Sequence, residues 1–80
     1  MNTAAIDFIQ SLTYGYAYRQ AVELAQTWEQ RCERFRSYMA HDLDKANAII
    51  QDIQTTGGRD YYKCMTKLEE ATDKAQKGEL

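Results

Sequence analysis

The chain of 80 residues contains no proline, only four glycines, two cysteines and one histidine. It therefore has no proline-rich linker and no collagen-like repeat. No apolar run reaches the roughly 20 residues that a membrane-spanning helix needs, so we expect no membrane partner. The net charge of −2 excludes a strongly basic nucleic-acid-binding protein. These limits leave one small domain over residues 1–80.

Large aliphatic residues are also scarce. Leu, Ile, Val and Phe together number 13 of 80 residues, which is below the level of about one fifth at which disorder becomes a concern. The small net charge and nine aromatic residues, six of them tyrosine, favour a folded chain. A domain of this size buries only about 60% of the surface of its unfolded chain, so its core is marginal. We therefore expect a second chain to stabilise it, and predict a homodimer.

The two cysteines do not predict a chemical site. The segment from Met1 to Asp7 lacks the basic start and long apolar run of a secretory signal, so we expect a cytoplasmic protein with Cys32 and Cys64 reduced. Zinc would need four ligands at short spacings, and a thiol nucleophile would need His41 and an orienting group nearby. Neither pattern is present, and no glycine-rich phosphate loop occurs. We predict a protein that is not an enzyme and binds no metal or cofactor.

Apolar residues recur at alternating spacings of four and three through the centre of the chain. This is the heptad pattern of coiled-coil helices, and it predicts one long helix from about Ala17 to Gln54. Only Asp42 breaks the pattern; it could cap a new helix, so a kink near residues 40–44 is the alternative. The unchanged phase on both sides of Asp42 favours a continuous helix. The twelve positions are Tyr14, Tyr18, Ala21, Ala25, Trp28, Cys32, Phe35, Met39, Asp42, Ala46, Ile49 and Ile53.

Shorter helices are predicted on both sides. A separate stripe ending at Leu12 and Tyr16 indicates a helix from about Thr3 to Leu12. The Thr-Thr-Gly-Gly sequence at 55–58 predicts a helix end, and Asp60 suits the N-cap of a final helix from about Tyr61 to Lys77. On the face of this last helix we expect Tyr61, Met65, Leu68, Thr72 and Ala75. The predicted fold is all-α, with the C-terminal helix folded back as a helical hairpin.

The predicted lengths indicate how the chain would meet a partner. A central helix of 38 residues is about 57 Å long, whereas the last helix is only about 26 Å long. We therefore expect the last helix not to reach Trp28, and the segment from Ala21 to Phe35 to stay exposed in a monomer. Two copies are then expected to pair along Tyr18 to Phe35.

The expected function is to occupy a surface of a larger protein, as an adaptor, chaperone or inhibitor. Tyrosine, tryptophan and arginine are typical of protein interfaces. The candidate interface residues are Tyr14, Tyr16, Tyr18, Trp28 and Phe35, with Arg31 and Arg34 at the rim. The alternative is a dimeric nucleic-acid-binding regulator that presents Arg19, Arg31, Arg34 and Arg36. Because Glu29 and Glu33 lie among these arginines, the protein-binding function is favoured.

Overall fold

The computed structural model describes Leu12 and residues 16–80. Within these residues it contains three helices and no strand: α1 (Tyr18–Tyr38), α2 (Leu43–Gly57) and α3 (Tyr61–Gln76). The predicted all-α fold class is confirmed. The predicted helix from Thr3 to Leu12 lies outside the described residues except for Leu12, which is helical and fully buried. None of the described helices combines the length and the apolar character needed to cross a bilayer.

The three helices form a bundle in which the direction alternates. Arg36 of α1 donates from Nε to Asn47 Oδ1 of α2 at 2.8 Å, at the end where the chain turns from one helix into the other. Helix α3 runs parallel to α1, since Arg31 contacts Glu69 and Tyr38 at the end of α1 bonds to Gln76 at the end of α3. Helix α2 is therefore antiparallel to both of its neighbours.

The core follows the heptad pattern within α1. The buried residues are Ala21, Ala25, Trp28, Cys32 and Phe35 in α1, Ala46, Ile50, Ile53 and Gly57 in α2, and Tyr61, Cys64, Leu68 and Thr72 in α3. Leu12 and Met39, both fully buried, belong to the same cluster. Of the predicted α3 face, Tyr61, Leu68 and Thr72 are buried, and Met65 and Ala75 are partly buried against the core; Cys64, which was not predicted there, is fully buried. All the α1 positions predicted from Ala21 to Phe35 are in the core.

The prediction of one continuous helix from about Ala17 to Gln54 is wrong. Helix α1 ends at Tyr38, and a turn closed by a 2.9 Å hydrogen bond from the Asp42 N–H to the Met39 carbonyl reverses the chain. Asp42 then caps α2, because its Oδ1 accepts the Lys45 N–H at 3.0 Å. A helix of about 57 Å would also exceed the longest dimension of the Cα trace, 38 Å.

The heptad spacing continues across the turn although the helix ends there, because a reversal of the chain can leave buried residues seven positions apart. Met39 in the turn and Ala46 in α2 are both fully buried, and they are seven residues apart. Buried residues therefore keep the same spacing through the turn, although the helix does not. A periodic pattern identifies which residues are buried, but not whether one helix or two present them.

The second turn was predicted correctly. Helix α2 ends at Gly57, and Gly58 has φ 59°, a left-handed conformation that glycine adopts without steric cost. Asp60 Oδ1 accepts the Lys63 N–H at 3.1 Å and caps α3. The helix stop, the cap and the hairpin between α2 and α3 are confirmed, and α3 ends one residue before the predicted Lys77.

Because the chain turns back after Tyr38, the flanking helices cover the region that was expected to be exposed. Tyr61, the first residue of α3, shares a hydrogen bond with Thr27, so α3 starts beside the middle of α1. Trp28 is 1% exposed and Phe35 is fully buried within the single chain. The expectations that α3 cannot reach Trp28 and that this stripe stays exposed are both wrong.

Candidate protein-binding surface

The structure separates the residues that the sequence grouped into one interface. Trp28 and Phe35 lie in the core, and so they cannot touch a partner while the bundle is closed. Tyr18 is 70% exposed in the first turn of α1, and Tyr16 is half-buried. Tyr14 lies outside the described residues. Arg31 and Arg34 are exposed.

A row of α1 side chains lies along the contact with α3. Its members are spaced four, three and four residues apart, so they share one face of the helix. We call this contact the seam: Thr27, Arg31, Arg34 and Tyr38 of α1, with Tyr61, Tyr62, Glu69 and Gln76 of α3. Hydrogen bonds, an ion pair and an aromatic contact connect its members.

Tyr61 anchors one end of the seam. Its side chain belongs to the core, and its hydroxyl shares a hydrogen bond with Thr27 and interacts with the charge of Arg31. Burial raises the pKa of Tyr61, and the Thr27 hydrogen bond and Arg31 only partly oppose that effect. The phenol therefore stays neutral at physiological pH. Tyr16 is close enough to add a further, smaller electrostatic contribution.

Tyr62 packs against Tyr61. Its ring meets the Tyr61 ring edge to face, with centroids 5.3 Å apart and planes at 84°. Such a contact contributes about 0.5–1.5 kcal/mol and limits ring motion. Tyr62 nevertheless remains 64% exposed. The result is a large aromatic side chain that contacts a buried neighbour and is still accessible.

Arg31 lies beside the tyrosines and is held by α3. Its Nη1 donates to Glu69 Oε1 at 3.2 Å, and each of the two side chains is 44% exposed. A partly exposed pair of this kind contributes at most about 1 kcal/mol to stability. Its main effect is to fix the direction of the guanidinium group. Tyr16, Arg31 and Tyr62 each interact with Tyr61, and we call these four residues the tyrosine patch.

The other end of the seam is built around Tyr38, which is 39% exposed. Hydrogen bonds from Gln76 and then Arg34 lower the pKa of Tyr38. Arg34 is thus directed toward the end of α1, whereas Arg31 is directed toward Glu69. The two arginines therefore have different partners, Tyr38 for Arg34 and Glu69 for Arg31.

The arginines of the nucleic-acid alternative do not form one basic face. Arg19 pairs with Glu23 at 3.7 Å, and Arg31 pairs with Glu69. Arg36 is directed toward α2, where it bonds to Asn47, on the side of α1 away from the seam. The positive charges are therefore divided between two sides of the helix, and two of them lie next to carboxylates.

The thiols are part of the core. Burial raises the pKa of Cys32 to about 12, with Arg36 opposing the effect, and burial also raises the pKa of Cys64. Protonated, buried thiols are poor nucleophiles and poor metal ligands. His41 lies exposed in the turn between α1 and α2. In the part of the chain that the structure describes, no three His, Cys, Asp or Glu residues come together as a metal site.

Sequence reasoning missed Tyr61, Tyr62 and Glu69 as site residues. A signal for Tyr62 was present, because the residue that directly follows a buried stripe position lies about 100° further round the helix, toward the edge of the buried face. Glu69 carried no comparable signal, since its role depends on the parallel packing of α1 and α3. The chain matches no known protein family, no curated protein and no solved structure.

Proposed function

We propose that this chain is a small, non-enzymatic protein-interaction module that acts by occupying a surface of a larger protein. The tyrosine patch is the proposed contact surface. The observation that carries the proposal is Tyr62, a tyrosine that is 64% exposed although its ring is held edge to face against a buried neighbour. Exposed tyrosine next to arginine is the composition most typical of interface hot spots.

The rigidity of the patch favours this function on energetic grounds. Immobilising a flexible side chain on binding costs roughly 0.5–1.5 kcal/mol. Tyr62 is already restricted by Tyr61, and Arg31 is already directed by Glu69 at 3.2 Å. Both side chains sit on helices rather than on loops, so a partner meets a largely preformed surface.

The partner that we propose is a different, larger protein. The homodimer expected along Tyr18 to Phe35 would have to use residues that now form the intramolecular core, so a closed bundle offers no such stripe. We also propose a cytoplasmic location, which the two free thiols support.

The test is a quantitative affinity capture with three baits: wild type, Tyr62→Ala and Leu43→Ala. Leu43 is the matched control, because it is an apolar residue that is 50% exposed at the start of α2, at the other end of the bundle. We expect a protein retained by wild type and by the Leu43→Ala bait to be lost from the Tyr62→Ala bait, with circular dichroism showing that all three fold. Identical capture by all three baits would overturn the proposal.

Salt dependence separates the proposal from nucleic-acid binding. A complex that neutralises 6–10 phosphates loses about 10³–10⁵ in affinity between 50 and 200 mM salt. An aromatic protein contact should change little over the same range, apart from the contribution of Arg31. A loss of binding over that range would favour the nucleic-acid function instead.

A further inference from the structure

The turn between α1 and α2 has no feature that prevents it from becoming helical. Residues 39–42 contain neither glycine nor proline, and each backbone φ there is negative. Met39 has φ −117° and ψ 27°, and Asp42 has φ −154° and ψ 77°. The turn between α2 and α3 differs, because Gly58 is left-handed. Of these two turns, only the first lacks both glycine and proline, the two residues that most disfavour helix.

A straightened turn would join two buried faces in register. Met39 and Ala46 are both fully buried and seven residues apart, which is one heptad of a continuous helix. A helix from Tyr18 to Gly57 would then carry one apolar stripe that is interrupted only at Asp42. Since α2 and α3 would have left α1, that stripe would need a new cover.

We propose that the closed chain is in equilibrium with a domain-swapped homodimer, in which residues 39–42 become helical and α2 and α3 of each copy pack on α1 of the other. Domain swapping reuses the contacts of the closed chain between copies, and for that reason the occupant of the stripe is a second copy. Arg31 of one copy would pair with Glu69 of the other, as it does within the closed chain at 3.2 Å. This proposal is independent of the tyrosine patch.

The contacts of the closed bundle locate the two-fold axis. Arg36 is level with Asn47 across α1 and α2, so position 36 of one straightened helix would lie opposite position 47 of the other. For two antiparallel helices with that pairing, the two-fold axis passes midway between positions 36 and 47, which is between positions 41 and 42. The two copies of Asp42, which occupies a stripe position, would therefore approach each other near the axis.

Asp42 opposes the swap in two ways. In the closed chain its Oδ1 caps α2 at 3.0 Å from the Lys45 nitrogen, and a straightened helix has no such cap. In the dimer two carboxylates would come together within an apolar stripe, where an unpaired charge is costly. Asp42 thus shifts the equilibrium toward the closed monomer and sets the concentration at which the dimer forms.

The first test replaces Asp42 by leucine, which completes the stripe. After refolding at high concentration, sedimentation equilibrium should give Asp42→Leu a dimer dissociation constant at least about 30-fold below that of wild type. That change corresponds to about 2 kcal/mol at 1.4 kcal/mol per factor of ten. Asp42→Ala, which adds no apolar surface, should shift the equilibrium in the same direction and replaces the leucine variant if that one fails to fold.

The matched control is Asp60→Leu. Asp60 caps α3 as Asp42 caps α2, with a similar distance of 3.1 Å. The turn between α2 and α3 is the same in the closed monomer and in the swapped dimer. Removing its cap should therefore lower the stability of both forms equally per chain and leave the dissociation constant of the dimer unchanged. An Asp42→Leu chain that stays monomeric, or an equal shift in both variants, would overturn the proposal.

A second test distinguishes a swapped dimer from two closed chains side by side. In the Asp42→Leu background, Arg31→Glu and Glu69→Arg chains are refolded separately and together, and the dimers are counted by native mass spectrometry. A swapped mixed dimer restores both opposite-charge pairs, whereas each homodimer contains two like-charge pairs. We expect the mixed dimer above its statistical share; a statistical share would show that the chains are not exchanged.

Discussion

The contact between Gly57 of α2 and Cys64 of α3 gives a prediction whose sign depends on a single sulfur atom. Gly57 is buried in the last turn of α2, and a Cβ added there would overlap the Cys64 Sγ. The sulfur has little freedom to move, because it is buried and its thiol donates to the Ile53 carbonyl at 3.8 Å. Gly57 does not have a positive φ, so alanine fits its backbone. The effect of Gly57→Ala therefore comes from the steric overlap.

The expected magnitude follows from that overlap. Overfilling a packed core costs about 1–3 kcal/mol, so Gly57→Ala should lower the free energy of unfolding by roughly that amount. In a Cys64→Ala background the nearest atom to the new Cβ would be the Cβ of residue 64, at 3.5 Å, an ordinary contact. Replacing glycine by alanine at a compatible position stabilises by about 0.4–1 kcal/mol. The same substitution should thus destabilise the wild type and stabilise the Cys64→Ala variant.

Urea denaturation followed by far-UV circular dichroism measures all four members of this cycle. We expect a coupling energy of about 2 kcal/mol between the two sites, within the range for residues in contact. Gly58→Ala is the matched control: nothing lies within 4 Å of its added Cβ, but its φ is 59°. That variant should cost about 1 kcal/mol in either background. If Gly57→Ala has the same sign with and without the sulfur, the close packing described here is refuted.

Three further measurements test the fold. Asp60→Ala removes the acceptor for the Lys63 N–H and should lower the free energy of unfolding by about 1 kcal/mol in thermal or urea denaturation; an unchanged value would contradict the cap. The Cys32 pKa is raised from 9.0 to about 12, so the neutral thiol favours the folded state fully below pH 9. Above pH 9 the unfolded chain loses the proton first, and stability should fall by about 1.4 kcal/mol per pH unit until about pH 12. In urea titrations Cys32→Ala should have a shallower alkaline slope, and an equal slope would exclude this cause. A double-mutant cycle of Arg31→Ala and Glu69→Ala should give a coupling of no more than about 1 kcal/mol, decreasing with salt; a larger, salt-independent value would contradict a partly exposed ion pair.

Sequence reasoning reached furthest where a local signal and a buried position coincide. The spacing from Ala21 to Phe35 predicted the buried face of α1, because burial imposes that spacing whatever covers the helix. The sequence around Gly58 predicted the second turn, because a left-handed glycine and an aspartate cap are local features. Both conclusions are independent of tertiary contacts.

The first turn and the site depend on tertiary contacts, and sequence reasoning failed there. Asp42 is a correct signal for a helix cap, but the heptad spacing was given more weight. That spacing does not reveal a reversal of the chain, because the buried residues on the two sides of the turn remain seven positions apart. The assumed length of the central helix then led to the expectation that Trp28 is exposed, although in the structure α3 starts beside Thr27. The pairing of Arg31 with Glu69 joins residues 38 apart and has no local signature.

The parallel packing of α1 and α3 has a practical consequence for handling this molecule. Tyr62 lies in the first turn of α3, and the last residue of α3 lies beside Tyr38 at the end of α1. For a helix of 16 residues, these two ends are about 24 Å apart. A linker attached after α3 therefore leaves from the end of the bundle opposite Tyr62. Immobilising the protein through that end turns Tyr62 toward the solution, whereas a short attachment near Arg59 would hide it.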